Sequence, residues 1–310
     1  MYRIKINKNI NQLRPAIATI GNFDGLHLGH LQLFKQLNTL AKQYNYRRVA
    51  ITFEPLPLEY FSDQKQQPRL TRLSLLRDKF NFLHEYDLVD ELVVLHFNQS
   101  IASLSPEAFI NNILKNNLGV VHIAVGHDFK FGKGACGTID DFAKYGVKIY
   151  DMPPFYLDKH RVSSSLIRGF ASANELENVY KFLGHNISYT SRVIYGNQLG
   201  RKFNVPTINL SLGLNRPALW GIYVARVYID GVCYSSVASI GKNPTVSAVD
   251  SYKLEAHLLD IDLDLYGKIA TIEILHFMRE ERKFDDLDSL FEQIHTDLQM
   301  ARDYFNQQEK

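Results

Sequence analysis

The hydrophobic positions of this chain change their period partway along it. In the first half, short apolar runs alternate with stretches in which apolar side chains return every three or four residues. Runs at 16–20, 48–53, 89–95, 120–125 and 147–152 read as strands, the fourth apolar but for His122. Between them, 28–44 carries Leu28, Leu31, Leu33, Phe34, Leu37, Leu40 and Ala41 at helical spacing. The stretch 70–86 does the same with Leu73, Leu76, Phe80 and Leu83. At 105–118, Ser105, Pro106 and Glu107 stand in the order of a cap, a first helical residue and a first-turn acid. Strand and helix in strict alternation predict a parallel sheet with crossover helices, a Rossmann-like α/β domain.

From about Ile187 the pattern shortens. Strands are expected at 188–195, 207–210, 221–229, 232–240, 252–259 and 268–277, with Asp230-Gly231 as a hairpin turn. Close spacing of this kind predicts a small antiparallel β-barrel. A last helix, 287–305, presents Leu287, Leu290, Phe291, Ile294, Leu298, Ala301 and Phe305 on one face. A short helix at 174–183 precedes the change, so the expected domains are 1–184 and 185–310.

A chain of 310 residues agrees with two domains at roughly 150 residues each. The 35 basic and 33 acidic side chains nearly cancel, which gives no reason to expect a nucleic-acid or membrane partner. Cys136 and Cys233 lie far apart with no metal-ligand spacing and read as reduced thiols. No apolar stretch follows the basic residues at the N-terminus, and no run of about 20 apolar residues occurs, so a cytoplasmic protein is expected. Oligomeric state is not legible.

Three segments of the first half carry candidate chemistry. The first, 21–30 (GNFDGLHLGH), is a strand, a glycine turn and a helix start, which together offer backbone N–H groups and the positive end of a helix dipole to a phosphate. His27 and His30, three apart, share one side of the first turn. Alone, such a glycine turn is weak; the two histidines at the helix start make chance a poor explanation. The second, Ser163, Ser164 and Ser165, opens a helix between Arg161 and Arg168, and hydroxyls there can cap the helix or touch phosphate oxygens. The third, 126–132 (GHDFKFG), follows the fourth strand, where ligands of parallel sheets bind. Its Phe129 and Phe131 either face a flat ring or pack into a loop.

In the barrel half, 200–210 (GRKFNVPTINL) puts Gly200 and Arg201 before a strand on which Thr207 and Asn209 point the same way. Two neutral oxygen ligands suit Mg²⁺, with waters and ATP phosphates completing its shell. A strand and turn at 239–245 contains Asn243, and Glu255 and His257 share a strand face. Glu255 is the candidate general base for a hydroxyl attacking a γ-phosphate; an isolated Glu there would be only a solvated strand face.

Taken together, these segments resemble the bacterial bifunctional riboflavin kinase/FAD synthetases. That family's adenylyltransferase half carries G-x-F-D-G-x-H-x-G-H, then G-x-D-F-x-F-G, then S-S-T-x-I-R. Here Gly21, Phe23, Asp24, Gly29, Asp128, Phe129 and Ser163 fall on those patterns, and Ser165 stands for Thr. Its kinase half carries G-R-x-x-G-x-P-T-x-N and E-x-H-x-L-D; this chain has Asn204 where Gly is usual, and Ser239 where Asn is common. Leu56 replaces the His of a segment resembling F-E-P-H-P. A last motif, 277–284 with Arg279, lies near the flavin in the family. The resemblance implies two sequential Mg²⁺-dependent reactions of ATP: riboflavin to FMN in the barrel, FMN to FAD and pyrophosphate in the α/β domain. It implies that His27, His30, Arg161, Arg168 and Ser164 orient ATP and neutralise pyrophosphate. Two alternatives are an adenylyltransferase whose barrel only binds flavin, and a flavin-binding regulator without turnover.

Overall fold

The computed structural model describes residues 1–7, 14–196, 205–243, 251–261 and 263–308. It divides into two compact units, one of residues 1–70 and 79–163, the other of 71–78 and 164–310.

In the first unit the strands are β1 (Tyr2–Lys5), β2 (Ala16–Ile20), β3 (Arg47–Glu54), β4 (Glu91–His96), β5 (Val120–Gly126) and β6 (Lys148–Met152). They form one sheet in the order β1-β4-β3-β2-β5-β6. All neighbours from β4 to β6 are parallel, as the alternation predicts. The edge strand β1 is the exception: it runs antiparallel to β4. Its sequence, YRIK, lacks an apolar run because it is held by charge; Arg3 and Arg47 both engage the buried carboxylate of Glu91. Every residue of β2 is buried. The strand order reverses between β2 and β5, so the loops leaving those two strands border the crevice where ligands of such sheets sit.

Helix α1 (Leu28–Tyr44) buries Leu33, Phe34, Leu37, Leu40 and Ala41, and ends at Asn45 in the left-handed region. The helix α2 (Pro57–Gln64) was not legible in the sequence. The stretch expected to be helical at 70–86 is helical only as α3 (Leu76–Glu85). Its first residues belong instead to the second unit: the Arg72 N–H donates to Arg216 O at 2.7 Å and the Ala218 N–H to Arg72 O at 2.9 Å. Asp78 stops the helix from extending backward, since its carboxylate accepts from the Leu75 N–H at 2.7 Å. After a turn at α4 (Gln99–Ala102), Ser105 caps α5 (Pro106–Ala108), and the chain continues as a wider π-helical stretch, Phe109–Asn117. A short helix α6 (Ile139–Lys144) precedes β6, and a two-residue hairpin, β7 (Tyr156–Leu157) and β8 (His160–Arg161), follows it.

The second unit holds α7 (Ser164–Ser172), α8 (Leu176–Leu183), six barrel strands and α9 (Leu287–Gln308). The strands are β9 (Ser188–Ile194), β10 (Thr207–Gly213), β11 (Gly221–Ile229), β12 (Val232–Asn243), β13 (Ser251–Leu258) and β14 (Ile269–Arg279). They close in the order β10-β13-β12-β11-β14-β9, antiparallel throughout. Asp230 and Gly231 turn the β11–β12 hairpin with φ of 51° and 81°, the two positive values that a two-residue turn of this hand requires. On β13, Tyr252, Leu254, Ala256 and Leu258 are buried, and Lys253, Glu255 and His257 face outward. Helix α9 lies over that outer face, with Leu298 and Ala301 packed against Val205, Val224 and Leu259.

His122, the one polar side chain in β5, is 3% exposed. The rings of Tyr44, Tyr46 and Tyr150 surround it at 5.2, 5.2 and 5.6 Å, and neither imidazole nitrogen has a hydrogen-bond partner among the described residues. Burial, and after it the charge of Lys148, holds its pKa below the ordinary value. The unfolded chain therefore binds the proton more tightly than the folded one, and stability contributed by this site falls as pH drops below about 6.5. The substitution His122→Phe should flatten the decline of urea-denaturation stability between pH 7 and pH 5; an unchanged slope would contradict the burial argument.

Candidate functional site

The loop leaving β2 is built on left-handed backbone. Phe23, Gly25 and Leu26 have φ of 46°, 80° and 44°, which turns the chain sharply into α1. His27 caps that helix, its Nδ1 accepting from the His30 N–H at 3.3 Å. The two imidazoles stack with centroids 3.6 Å apart and planes 13° from parallel. Phe23 is buried beneath them, edge-on to His30 at 5.3 Å and against Phe34 at 5.2 Å. The glycines make room for these rings. A methyl on Gly21 would lie 3.0 Å from the Phe23 ring, and one on Gly29 3.2 Å from the His27 ring. Phe23 thus serves the loop as a wedge under the histidines, and Asp24 beside it is buried.

Desolvation, and then the neighbouring His27 and Lys79, pushes the His30 pKa well below the ordinary value. Lys79 is a functional-site neighbour that sequence reasoning missed. Its signal was available: a lysine set among Leu76, Phe80 and Leu83 on an apolar helix stripe.

The loop after β5 pairs its charges locally. His127 Nδ1 meets Asp151 Oδ2 at 2.6 Å, and this bond raises the exposed imidazole above its ordinary pKa. Arg161 donates from Nη2 to Asp128 Oδ2 at 2.6 Å and holds that carboxyl below the usual range. The aromatic pair packs into the core. Phe131 is buried, and the half-buried Phe129 stacks on Phe131 and Phe142 at 5.8 and 6.4 Å. Ser163 follows Val162, whose carbonyl oxygen lies 3.7 Å from the position of a methyl on Gly29. Ser164 and Ser165 open α7 in the second unit, where Arg168 Nη2 donates to Ser165 Oγ at 3.1 Å. Leu56, in place of a histidine, is buried.

In the second unit a cavity of 690 Å³ lies between the outer face of the barrel and α9. Thr207, Glu255, His257 and Arg279 line it together with Ser239, Glu281, Leu290 and Asp297. The β10–β13 register sets Thr207 opposite His257 and Asn209 opposite Glu255. Asn209 Nδ2 approaches Thr207 Oγ1 to 3.5 Å, which puts two neutral oxygen-bearing side chains side by side. Glu255 accepts from Lys253 Nζ at 2.9 Å. His257 donates from Nδ1 to Pro206 O at 2.8 Å, since a carbonyl can only accept, and burial lowers its pKa. Gly200 and Arg201 lie outside the described residues, as does the side chain of Asn243 at the end of β12.

Two acidic cavity residues escaped sequence reasoning. Ser239 donates to Glu281 at 3.0 Å, and Glu281 lies so close to Gly241 that a methyl there would fall 2.5 Å from its Oε1. No local pattern announces that approach. Asp297 was more legible: a carboxylate set between Ile294, Leu298 and Ala301 in the apolar stripe of α9.

Known proteins match along the whole chain. The family model for FAD synthetase covers residues 9–166, and that for riboflavin kinase covers 183–305. A bifunctional riboflavin kinase/FMN adenylyltransferase of Haemophilus influenzae is 35% identical, spanning 99% of this chain and 100% of its own. One from Escherichia coli K12 is also 35% identical, over 97% and 98%. A crystal structure from Streptococcus pneumoniae, titled a macrolide-efflux protein, superposes with a TM-score of 0.75 at 28% identity, over 96% of this chain and 97% of its own.

The Asp151 contact to His127 has a direct readout. In the Asp151→Asn variant the His127 pKa should fall in an NMR titration; a pKa unmoved by the substitution would contradict the pairing.

Proposed function

The chain belongs to the bifunctional riboflavin kinase/FMN adenylyltransferase family, and from that membership we propose how its residues divide the two reactions. It is an ATP-dependent transferase that phosphorylates riboflavin to FMN and adenylylates FMN to FAD with release of pyrophosphate. Neither a kinase-inactive barrel nor a regulator without turnover has an observation in its favour. We assign adenylylation to 1–184 and phosphorylation to 185–310. The segments matched by the two family models support that division. Consumption of ATP in both steps supports a cytoplasmic location.

The single observation carrying the kinase assignment is the placement of Glu255 and Thr207 on the wall of a cavity of small-molecule size, with Asn209 paired opposite Glu255 across the strands. Glu255 is the base that takes the proton of the riboflavin 5′-hydroxyl as it attacks the γ-phosphorus. Thr207 and Asn209 would be the protein ligands of Mg²⁺. Their neutral oxygens, adjacent on one strand face, fit a hard cation that takes its other ligands from water and phosphate. When bound, the ion would supply charge neutralisation on the ATP phosphates. Arg279, in the same wall, supplies fixed positive charge. Gly200, Arg201 and Asn243 are assigned to nucleotide or flavin binding by the motifs they occupy.

For adenylylation no base is required, because the FMN phosphate is already an anion. The α1 N-terminus, His27 and His30 donate hydrogen bonds to ATP phosphates. Arg161 and Arg168 supply fixed positive charge for the ATP phosphates. Arg161 must exchange Asp128 for a phosphate oxygen. Ser163, Ser164 and Ser165 add hydroxyl donors. Gly21, Phe23, Asp24 and Gly29 shape the loop, and Asp128 and Phe129 form the other wall of the crevice.

The Glu255→Gln variant should lose FMN formation by about 10²–10⁴-fold in kcat while still converting supplied FMN to FAD; near-normal FMN formation would remove Glu255 as the base. A second test uses Gly196, because a methyl there would lie 2.5 Å from Asn209 Cγ. Gly196→Ala should raise the Mg²⁺ concentration needed for half-maximal phosphorylation without changing adenylylation. An unchanged requirement would argue against Asn209 as a ligand.

A further inference from the structure

Arg279 is the cavity cation whose aim is visibly controlled. It ends β14, and its side chain turns toward α9. Nε donates to Asp297 Oδ1 at 3.0 Å, Nη2 to Asp297 Oδ2 at 2.7 Å, and Nη1 to the Glu280 carbonyl at 3.0 Å. Asp297 is only 4% exposed, and Gln293, one turn earlier, donates Nε2 to its Oδ1 at 2.8 Å. Both Arg279 and Asp297 line the 690 Å³ cavity.

A guanidinium carries five N–H groups in one plane. Three of them have partners among the described residues, and the bidentate carboxylate fixes the plane through the Nε–Nη2 edge. The other two are one on Nη1 and one on Nη2. A buried ion pair contributes little net stability against an apolar replacement, because both charges lose their water. Its lasting effect is geometric, in that one orientation of the guanidinium is held before substrate arrives.

We infer that Asp297, steadied by Gln293, is a positioning residue for phosphorylation: it holds Arg279 so that its two remaining N–H groups meet oxygen atoms of a substrate in the cavity. This rests on the assignment of riboflavin phosphorylation to the barrel. Asp297 touches no reacting atom and works only through Arg279. It also makes α9 part of the site, because the strand end carrying the cation and the helix carrying its anchor are far apart in sequence.

The test is a double-mutant cycle on full-length protein, with FMN formation from riboflavin and ATP resolved into kcat and the two KM values. Asp297→Asn should lower kcat/KM by about tenfold or more, chiefly through KM for the substrate that Arg279 contacts, and supplied FMN should still be adenylylated normally. Arg279→Met combined with Asp297→Asn should be no worse than Arg279→Met alone. Asp297→Glu should recover part of the loss. Should Asp297→Asn fail to fold, Gln293→Leu, which keeps the ion pair and removes its brace together with the Arg282 contact to Gln293, should raise the same KM while Arg282→Met, which removes only that contact, leaves it unchanged. Losses that multiply in the double variant would overturn the proposal, as would a Gln293→Leu enzyme with unchanged KM values. An Arg279→Met enzyme of normal activity would overturn it too while leaving the barrel assignment to the Glu255 test.

Discussion

The kinase half depends on one register. β10 and β13 pair so that Asn209 stands opposite Glu255 and Thr207 opposite His257. A one-residue slip of either strand would carry its polar pair to the opposite face and bring its apolar pair, Ile208 and Leu210 on β10 or Leu254 and Ala256 on β13, to the cavity wall. What forbids the slip is the barrel interior, where those four apolar side chains are buried. The apolar alternation therefore selects the chemical geometry, although none of the residues that enforce it takes part in the reaction. β13 also pairs with β12 in a fixed register, which sets Ser239 opposite Glu255.

The α/β half reaches its site by different physics. Parallel strands end at one edge of the sheet, and the reversal of strand order between β2 and β5 opens a crevice there. Left-handed backbone at Phe23, Gly25 and Leu26 turns the first loop onto a helix N-terminus. Phe23 packs beneath the stacked histidines, edge-on to His30, and desolvation lowers the pKa of that imidazole. At the rim, Arg161 is half exposed and paired with Asp128.

Much of this was readable in the sequence, for reasons that particular residues show. Alternation on 252–258 gave the outward face of Glu255 and His257, because burial of every second side chain is what a barrel wall demands. Asp230-Gly231 gave the hairpin, since few other pairs accept two positive φ values. Periodicity reports which face is buried, however, and not what a side chain meets across the fold. For that reason the partnerships of Asp128 with Arg161, of Glu281 with Ser239 and Gly241, and of Asp297 with Arg279 were not legible. The same limit hid β1, a polar edge strand held by Glu91, and the segment 71–75, whose apolar spacing suits a helix but whose backbone pairs with Arg216 and Ala218.

The central claim is that one chain carries two separate sites, joined by FMN as the product of one and the substrate of the other. Complementation measures this most directly. Full-length Glu255→Gln and His30→Ala proteins would be incubated with riboflavin and Mg-ATP, singly and mixed, with FMN and FAD separated over time. The account predicts little FAD from either protein alone, FMN accumulating only where Glu255 is intact, and FAD once the two are mixed. FAD formed readily from riboflavin by either protein alone, or accumulated FMN left unconverted in the mixture, would contradict it.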